Sequence, residues 1–283
     1  MVETTFIHIT DLHVGNPSVA DSHLFSDTSA TLSRVLALIG SMDQKPQFII
    51  ASGDLTNRGD VESYRQLRSL MDATDVPVVY AIGNHDTRAG FYKGMLDRTS
   101  DLDAPYDHDQ VIGGIHIVTL DTTTPGEIGG SLTPAQFAWL AHALDRHGDL
   151  PKLIVAHHAP VLGDAVPWDH WRTIEFSQSQ QLAGLLKGRN ILGILSGHIH
   201  HDRFSSLHGI PVIVGMGQHA ATDILTTDIL RMVEGASFGI GTIRTSGLTM
   251  ALVPLPQTRN ELNRYDLSLL RHKQDAAMAG ATE

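Results

Sequence analysis

Val76-Pro77-Val78-Val79-Tyr80-Ala81-Ile82-Gly83-Asn84-His85-Asp86 is an apolar run that ends in a glycine and three polar side chains. A short run rich in β-branched residues and closed by a glycine predicts a buried strand that leads into a turn. The turn presents an amide, an imidazole and a carboxylate side by side. Because buried polar groups are costly unless they are paired or bound, this cluster is either a well-satisfied turn or part of a functional site.

Similar apolar runs recur along the chain. They lie at residues 6–9, 48–51, 115–120, 153–156, 191–195 and 210–214. Their continuous hydrophobicity predicts strands that are buried on both faces. Helical periodicity appears between several of them, with predicted starts at Thr28 or Ser29, Asp60, Thr133 and Ser177. Strands that alternate with helices indicate an α/β fold.

The pattern changes towards the end of the chain. Residues 238–243 and 248–253 flank a turn at 244–247, which predicts a β-hairpin and hence antiparallel strands. From residue 257 onward the sequence is polar, and we expect a surface helix or a tail. No repeat or linker interrupts residues 1–256, so we expect one domain there, followed by the segment 257–283.

Composition excludes several classes of protein. The net charge of −11 argues against a protein that coats nucleic acid or a membrane surface. The absence of cysteine excludes disulfides and thiolate metal sites, whereas 17 histidines supply many potential metal ligands. No signal peptide or transmembrane run is apparent, so we expect a soluble, cytoplasmic protein.

Five predicted strands end in residues of the types that can bind metals. These residues are Asp11 and His13, Asp54, Asn84 and His85, His157, and His198 and His200. Each of these strand ends taken alone could be an ordinary turn, since Asp and His are common in turns. Together they are expected to converge, because ligands of open α/β sheets bind beyond the carboxyl ends of the strands. Oxygen and nitrogen ligands suit Mn, Fe, Zn or Co. The number of potential ligands exceeds what one metal ion needs, which indicates a two-metal centre.

The ordered motifs that contain these residues resemble those of the calcineurin-like metallophosphoesterase superfamily. They are Asp11-x-His13, Gly53-Asp54, Gly83-Asn84-His85-Asp86, His157 and Gly197-His198-x-His200. The chain is most similar to class III cyclic nucleotide phosphodiesterases and bacterial glycerophosphodiesterases, over roughly residues 3–255. It departs from the pattern at Ala159, where a proline is frequent. The resemblance implies a four-layer αββα sandwich of two mixed sheets, with the metal site at the strand ends.

The resemblance also implies roles for individual residues. Asp11, His13 and His200 would hold one metal, Asn84, His157 and His198 the other, and Asp54 would bridge them. His85 would contact the phosphate and assist departure of the alkoxide, with Asp86 orienting it. Asn84 would also help to bind the substrate.

The implied reaction is hydrolysis of a small phosphodiester by a hydroxide that bridges two metals. A phosphomonoesterase or a broad-specificity phosphatase is an alternative on the same centre. A binding scaffold without catalysis is another, although a scaffold has no need of a complete ligand set. The acidic chain lacks a basic tract, and therefore polymeric nucleic acid is not an expected substrate.

Substrate choice is expected to lie in loops beside the metals. Residues 122–131 form one candidate wall, and residues 161–172 form another in which Trp168 could stack on a base and Arg172 could meet an anion. His219 is a further candidate for substrate binding. Ordinary packing of these residues remains an equal alternative. The hairpin at 238–253 is a candidate interface for a homo-oligomer.

Overall fold

A computed structural model describes residues 3–163, 172–226, 229–256 and 258–266. Helices and strands alternate through the first two thirds of the chain, and strands alone follow. The helices are α1 Thr28–Gly40, α2 Val61–Met71, α3 Arg88–Leu96, α4 Pro134–Arg146 and α5 Phe176–Leu186. The strands are β1 Thr4–Ile9, β2 Phe48–Ser52, β3 Val78–Ala81, β4 His108–Ile112, β5 Ile115–Leu120, β6 Lys152–Ala156, β7 Ile191–Ser196, β8 Arg203–Leu207, β9 Ile210–Val214, β10 Ala221–Thr222, β11 Ile229–Val233, β12 Ser237–Arg244, β13 Gly247–Pro254 and β14 Glu261–Asp266.

Two mixed sheets carry the fold. The first has the strand order β13-β12-β1-β2-β3, in which β1, β2 and β3 run parallel and the late hairpin adds antiparallel strands. The second has the order β4-β5-β6-β7-β9-β8, with a parallel centre and an antiparallel strand at each edge. The predicted hairpin is confirmed, with Arg244 opposite Gly247 at its turn.

The sheets pack face to face between two layers of helices. Phe6 and Phe48 from the first sheet share one buried cluster with Ile117 and Leu153 from the second. Helices α1, α2 and α3 cover the outer face of the first sheet, and α4 and α5 cover that of the second. Because every central strand is buried on both faces, its sequence is continuously apolar. The expected four-layer arrangement is confirmed.

Two predicted helix starts are confirmed and two are displaced. Asp60 caps α2, and Thr133 with Gln136 forms the expected capping box at α4. Asp27, not Thr28 or Ser29, caps α1, because the Asp27 carboxylate accepts from the Ala30 N–H. The last helix begins at Phe176, one residue before Ser177, without a side-chain cap.

The structure corrects the expectation for the end of the chain. A third, three-stranded sheet of order β10-β11-β14 includes residues 261–266, where we expected a helix or a tail. Strand β14 is polar because it lies at an edge, and its main chain pairs with β11. Residues 267–283 lie outside the described part of the chain. None of the described helices has the length and apolar character needed to span a membrane.

Candidate metal centre

The carboxyl ends of five strands meet at one edge of the sandwich. Strands β1, β2 and β3 end there in the first sheet, and β6 and β7 end there in the second. The two sheets are joined at this point, since the main-chain N–H of His198 donates to both carboxylate oxygens of Asp11, at 3.0 and 3.1 Å. The predicted convergence of the strand-end residues is therefore present in the structure.

One group of potential ligands comes mainly from the first sheet. Asp11, His13, Asp54 and His200 are buried, and each offers an atom within 4.8 Å of the others. Nε2 of His200 lies 3.4 Å from Oδ1 of Asp11, and Nε2 of His13 lies 3.6 Å from Oδ2 of Asp54. Four ligand atoms this close are an arrangement that a cation stabilises.

A second group adjoins the first through Asp54. Nε2 of His157 lies 3.3 Å from Oδ2 of Asp54, the same oxygen that faces His13. His157, His158 and His198 form a second buried cluster of potential ligands. The carboxylate of Asp54 thus faces potential ligands of both groups.

Each histidine assigned to a metal is anchored through one ring nitrogen. Nδ1 of His157 donates to the carbonyl of Ser52, Nδ1 of His200 to that of Ala220, and Nε2 of His198 to a main-chain carbonyl, that of Arg172 at 2.6 Å. Nδ1 of His13 lies 3.0 Å from Oδ1 of Asn57. A carbonyl oxygen only accepts, so in the neutral ring the proton sits on the anchored nitrogen and the other nitrogen can bind a metal.

Unsatisfied polar atoms show that the residues fit a metal centre. Among the described residues, Nε2 of His13, Nε2 of His157 and Oδ1 of Asn84 are buried without a hydrogen-bond partner. A buried polar atom without a partner is costly, and a bound cation would remove that cost. The donors are imidazole, carboxylate and amide, which suit Mn, Fe, Zn or Co.

The electrostatics of the site without cations are also informative. Burial favours the neutral acid of Asp54, but His157, His85 and His13 together outweigh burial and hold the pKa of Asp54 well below its usual value. Burial lowers the pKa of His157, yet Asp54, with help from Asp11 and the Ser52 carbonyl, raises it to about 9. Burial lowers the pKa of both His13 and His198. A proton on His157 is therefore stabilised mainly by Asp54, and a bound cation would replace that proton.

The backbone at the strand ends is unusual. Among the proposed ligands, the residues with a left-handed backbone are Asp11, His13, Asp54, His198 and His200, with φ between 44° and 76°. Gly83 has a different reason to be glycine. A Cβ there would lie 2.3 Å from Oδ1 of Asp54 and 2.6 Å from Cδ2 of His157, so Gly83 allows the β3 turn to approach both.

Asp86 does not orient His85, and that expectation is corrected. Nδ1 of His85 donates to the main-chain carbonyl of Asn57 at 3.0 Å. The buried carboxylate of Asp86 instead accepts from the main-chain N–H groups of Leu55, Thr56 and Gly83 and from two hydroxyl groups. A side chain in a turn can point in more than one direction, and the main-chain donors of the β2 turn draw Asp86 away from the imidazole.

The predicted substrate residues have mixed outcomes. The His85 side chain is exposed at the mouth of the site, beside buried ligands. Arg172 takes part through its main-chain carbonyl, while its side chain is exposed. Trp168 lies in the segment 164–171, outside the described residues. His219 is buried near His13, with 4.7 Å between ring centroids, and its Nε2 accepts from the N–H of Phe25 at 3.1 Å.

His158 belongs to the loop wall and not to the ligand set. Its Nε2 donates to the carbonyl of Ile128 at 3.0 Å, and its Nδ1 pairs with the hydroxyl of Thr122 at 2.7 Å. Burial lowers its pKa to about 3, which keeps the ring neutral. Both nitrogens are therefore engaged. His158 ties the loop 122–131 to the strand end that carries His157.

Two elements of the site were absent from our sequence-based expectations. Asn57 lies beside both His13 and His85, and the loop 15–26 brings Asp21 and Phe25 against the centre. Asn57 follows Gly53-Asp54 by three residues, so its place in the same turn was a usable signal. The loop gives no such signal, because its polar residues are those of any surface loop.

Solved structures share this fold. A dimetal phosphatase from Danio rerio superimposes with a TM-score of 0.65 over 91% of this chain and 99% of that one, at 16% sequence identity. At such low identity the likeness concerns the fold alone. It agrees with the two mixed sheets and their helical layers.

Curated relatives are closer in sequence. A cAMP/cGMP dual specificity phosphodiesterase from Mycobacterium tuberculosis is 32% identical over 217 residues, which are 74% of this chain. The match spans 65% of that relative, slightly less than two thirds of its length. A glycerophosphodiester phosphodiesterase from Enterobacter lignolyticus is 27% identical over 199 residues, covering 69% of this chain and 70% of the relative.

The family model called calcineurin-like phosphoesterase matches residues 4–202. That range begins with β1 and ends just after His198 and His200, so it includes every residue proposed to bind a metal. The expected family is confirmed, and phosphoester hydrolysis is the chemistry that its description names. The chain belongs to the calcineurin-like phosphoesterase family.

Proposed function

We propose that the protein hydrolyses a small phosphodiester with the help of two metal ions. The observation that carries this proposal is the position of Asp54, one oxygen of which faces both His13 and His157 while the metal-binding nitrogens of both rings lack hydrogen-bond partners. Only a carboxylate offers anionic oxygens that two cations can share. The geometry therefore supports a paired centre better than a single site.

The residues divide between the two ions as follows. Asp11, His13 and His200 would hold one, and Asn84, His157 and His198 the other, with Asp54 shared. When bound, the ions supply a nucleophilic hydroxide near neutral pH and neutralise charge on the phosphate. Asn84 is neutral, so it adds a ligand without adding negative charge. Burial of the ligands excludes bulk water and strengthens these interactions.

His85 is the proposed general acid. Its Nδ1 donates to the carbonyl of Asn57, so the ring is held in one orientation and Nε2 is the nitrogen that meets the substrate. An exposed ring at the mouth of a buried centre can contact the leaving group. When the bond between phosphorus and the leaving oxygen breaks, a doubly protonated ring would pass its Nε2 proton to the departing alkoxide and keep the proton on Nδ1.

Small phosphodiesters are the favoured substrates, and there are two candidate classes. The relatives named above act on cyclic nucleotides or on glycerophosphodiesters, and the net negative charge of this chain disfavours polymeric nucleic acid. His219 supports recognition of an anionic substrate. Since its Nε2 accepts a hydrogen bond, a neutral ring carries its proton on Nδ1 and can donate it.

A phosphomonoesterase on the same centre is the rival activity. A monoester carries more negative charge than a diester and would have to fit beside the same buried carboxylates. Binding without catalysis is a further alternative, because a fold can be retained without its chemistry. The complete ligand set and the exposed His85 argue for catalysis.

A hydrolysis panel tests the proposal. The metal-free protein is reconstituted with Mn, Fe, Co or Zn and assayed with 3′,5′-cyclic AMP, a glycerophosphodiester, a phosphomonoester and bis-p-nitrophenyl phosphate. We expect the diesters to turn over faster than the monoester, and only after metal is added. Chelator-treated protein without added metal is the matched control. Faster turnover of the monoester, or no turnover with two ions bound, would contradict the proposal.

A further inference from the structure

Asn57 has an unusual set of contacts for a turn residue. It is 4% exposed, and its Oδ1 lies 3.0 Å from Nδ1 of His13 while its Nδ2 donates to Oδ2 of Asp21 at 2.7 Å. Its main-chain carbonyl accepts from Nδ1 of His85. One residue thus contacts a proposed metal ligand, the proposed general acid and a loop that covers the site.

The contact with Asp21 determines which way the amide points. A carboxylate only accepts hydrogen bonds, and therefore the amide edge that faces Asp21 must be the NH₂ group. The carbonyl oxygen of the amide must then face His13. Because an amide oxygen also only accepts, the proton of neutral His13 has to lie on Nδ1. Nε2 is left without a proton, on the side of Asp54.

A surface ion pair keeps Asp21 in this role. Arg58 binds it through two parallel contacts of 2.7 Å, from Nε to Oδ2 and from Nη2 to Oδ1. The side chain of Arg58 is 57% exposed and that of Asp21 only 8%, so the pair runs inward from the surface. The hydrogen bonds from Arg58 hold the pKa of Asp21 well below its usual value.

Among the anchors that the described part of the chain supplies to the four histidines assigned to the metals, that of His13 is the one that comes from a side chain. The anchors of His157, His198 and His200 are main-chain carbonyls, which no substitution removes. The anchor of His13 depends on residue 57 and, through it, on the loop 15–26. The orientation of one ligand is thus linked to a loop that does not itself supply a ligand.

We propose that Asn57 is a positioning residue that holds the proton of His13 on Nδ1, and that the Asp21–Arg58 ion pair fixes the amide in the required orientation. The inference rests on the proposed function, since it takes His13 as a metal ligand. It adds that the affinity of one of the two ions depends on a hydrogen-bonded chain that begins at the protein surface.

The test replaces Asn57 by leucine, which has a similar size but cannot accept a hydrogen bond. We expect one of the two metal affinities to weaken by about 10- to 100-fold, as is typical when the partner of a ligating histidine is lost. The other affinity should stay within a few-fold. Titration of the metal-free protein with Mn²⁺ against a chromophoric chelator measures both.

A second readout needs neither metal nor activity. Nitrogen–proton correlation spectra of histidine rings distinguish the two tautomers in the metal-free protein. We expect His13 to be protonated on Nδ1 in the unaltered protein and to be a mixture of tautomers in Asn57→Leu. A merely structural role of Asn57 would leave the ring tautomer unchanged.

The chain provides a matched control. Asn16 lies in the loop 15–26 and, like Asn57, donates from Nδ2 to a carboxylate, Oδ1 of Asp60 at 3.1 Å, while its own Oδ1 accepts from a main-chain N–H. Asn16→Leu therefore removes the same kind of bond without touching an imidazole. Metal affinities and the tautomer of His13 should remain as in the unaltered protein.

A variant of Asp21 protects the test against misfolding of Asn57→Leu. Asp21→Ala leaves the amide in place but removes the group that orients it, so both readouts should change in the same direction and by less. Unchanged metal affinities and an unchanged tautomer in either folded variant would overturn the inference. Tight binding of two ions without diester hydrolysis would contradict the proposed function and leave this inference standing.

Discussion

The turns after β2 and β3 each carry a buried aspartate, and the two carboxylates have opposite surroundings. Asp54, after β2, accepts one main-chain hydrogen bond from His85, and its other oxygen faces His13 and His157. Asp86, after β3, accepts five hydrogen bonds, and none of its partners among the described residues is an imidazole. One carboxylate has capacity left for a cation, whereas the other is saturated.

This difference separates a functional acid from a structural one. A buried charge that is fully hydrogen-bonded stabilises the turns around it and has little capacity left for a ligand. A buried charge whose neighbours are unsatisfied nitrogens is stable only with a proton or a cation among them. The two turns are adjacent and both carboxylates are buried, so burial alone does not distinguish them.

The largest expected effect is that of Asp54→Asn. Loss of an outer partner of a metal ligand already lowers metal affinity by about 10- to 100-fold, so loss of the shared ligand should weaken both sites by more than about 100-fold. Metal analysis after dialysis measures the ions retained, and circular dichroism confirms the fold. Two tightly held ions in this variant would refute the shared role of Asp54.

Asp86→Asn should give the opposite result. The amide presents an NH₂ group to main-chain N–H donors, which leaves buried groups unpaired, and the free energy of unfolding should fall by about 3 kcal/mol. Both metals should still bind. Urea unfolding of the metal-free protein measures the change, since bound metal would add its own stabilisation.

Asp60→Asn is the control for that measurement. Asp60 caps α2 at a half-buried position, and asparagine caps helices as well as aspartate does, so little stability should be lost. If Asp86→Asn kept its stability and lost catalysis instead, Asp86 would have a chemical role after all.

His85→Ala should have an effect that depends on the leaving group. General acid catalysis typically contributes at least about 100-fold, so kcat for an alkyl diester should fall by about that factor. For bis-p-nitrophenyl phosphate, whose leaving group needs little protonation, kcat should fall much less. Equal losses on both substrates would show that His85 positions the phosphate and does not protonate the leaving group.

The smallest expected effect is that of Tyr64→Phe. The hydroxyl of Tyr64 donates to Asp86 at 2.8 Å, but four other donors remain, so the free energy of unfolding should fall by about 1 kcal/mol. Tyr92→Phe is the matched control, because its hydroxyl donates to a neutral carbonyl of Ala104. A larger loss in the control would contradict the importance of the charged acceptor.

The strand-end residues were predictable because strands repeat a simple pattern. A continuously apolar run predicts a buried parallel strand, and parallel strands bring their carboxyl ends together. Asp11, Asp54 and His157 therefore meet as expected, although they lie far apart in the sequence. The central strands and the late hairpin were predictable for the same reason.

The features that could not be predicted depend on contacts that produce no periodic pattern in the sequence. Strands β4 and β8 are mixed in polarity because they lie at the edges of their sheet, and the helix α3 contains two glycines. The sequence shows that Asp86 lies in a turn, but the direction of its carboxylate depends on donors from the neighbouring turn. Asn57 gains its importance from Asp21, which comes from a distant loop.

The left-handed backbone of the strand ends lowers the stability that the protein can reach. It occurs at Asp11, His13, Asp54, His198 and His200. Each such residue costs roughly 1 kcal/mol relative to an ordinary conformation. Together they oppose folding by about as much as the smaller net stabilities of natural domains. The backbone that presents these potential ligands therefore lowers the stability of the protein at all five positions, and a bound metal would offset that loss.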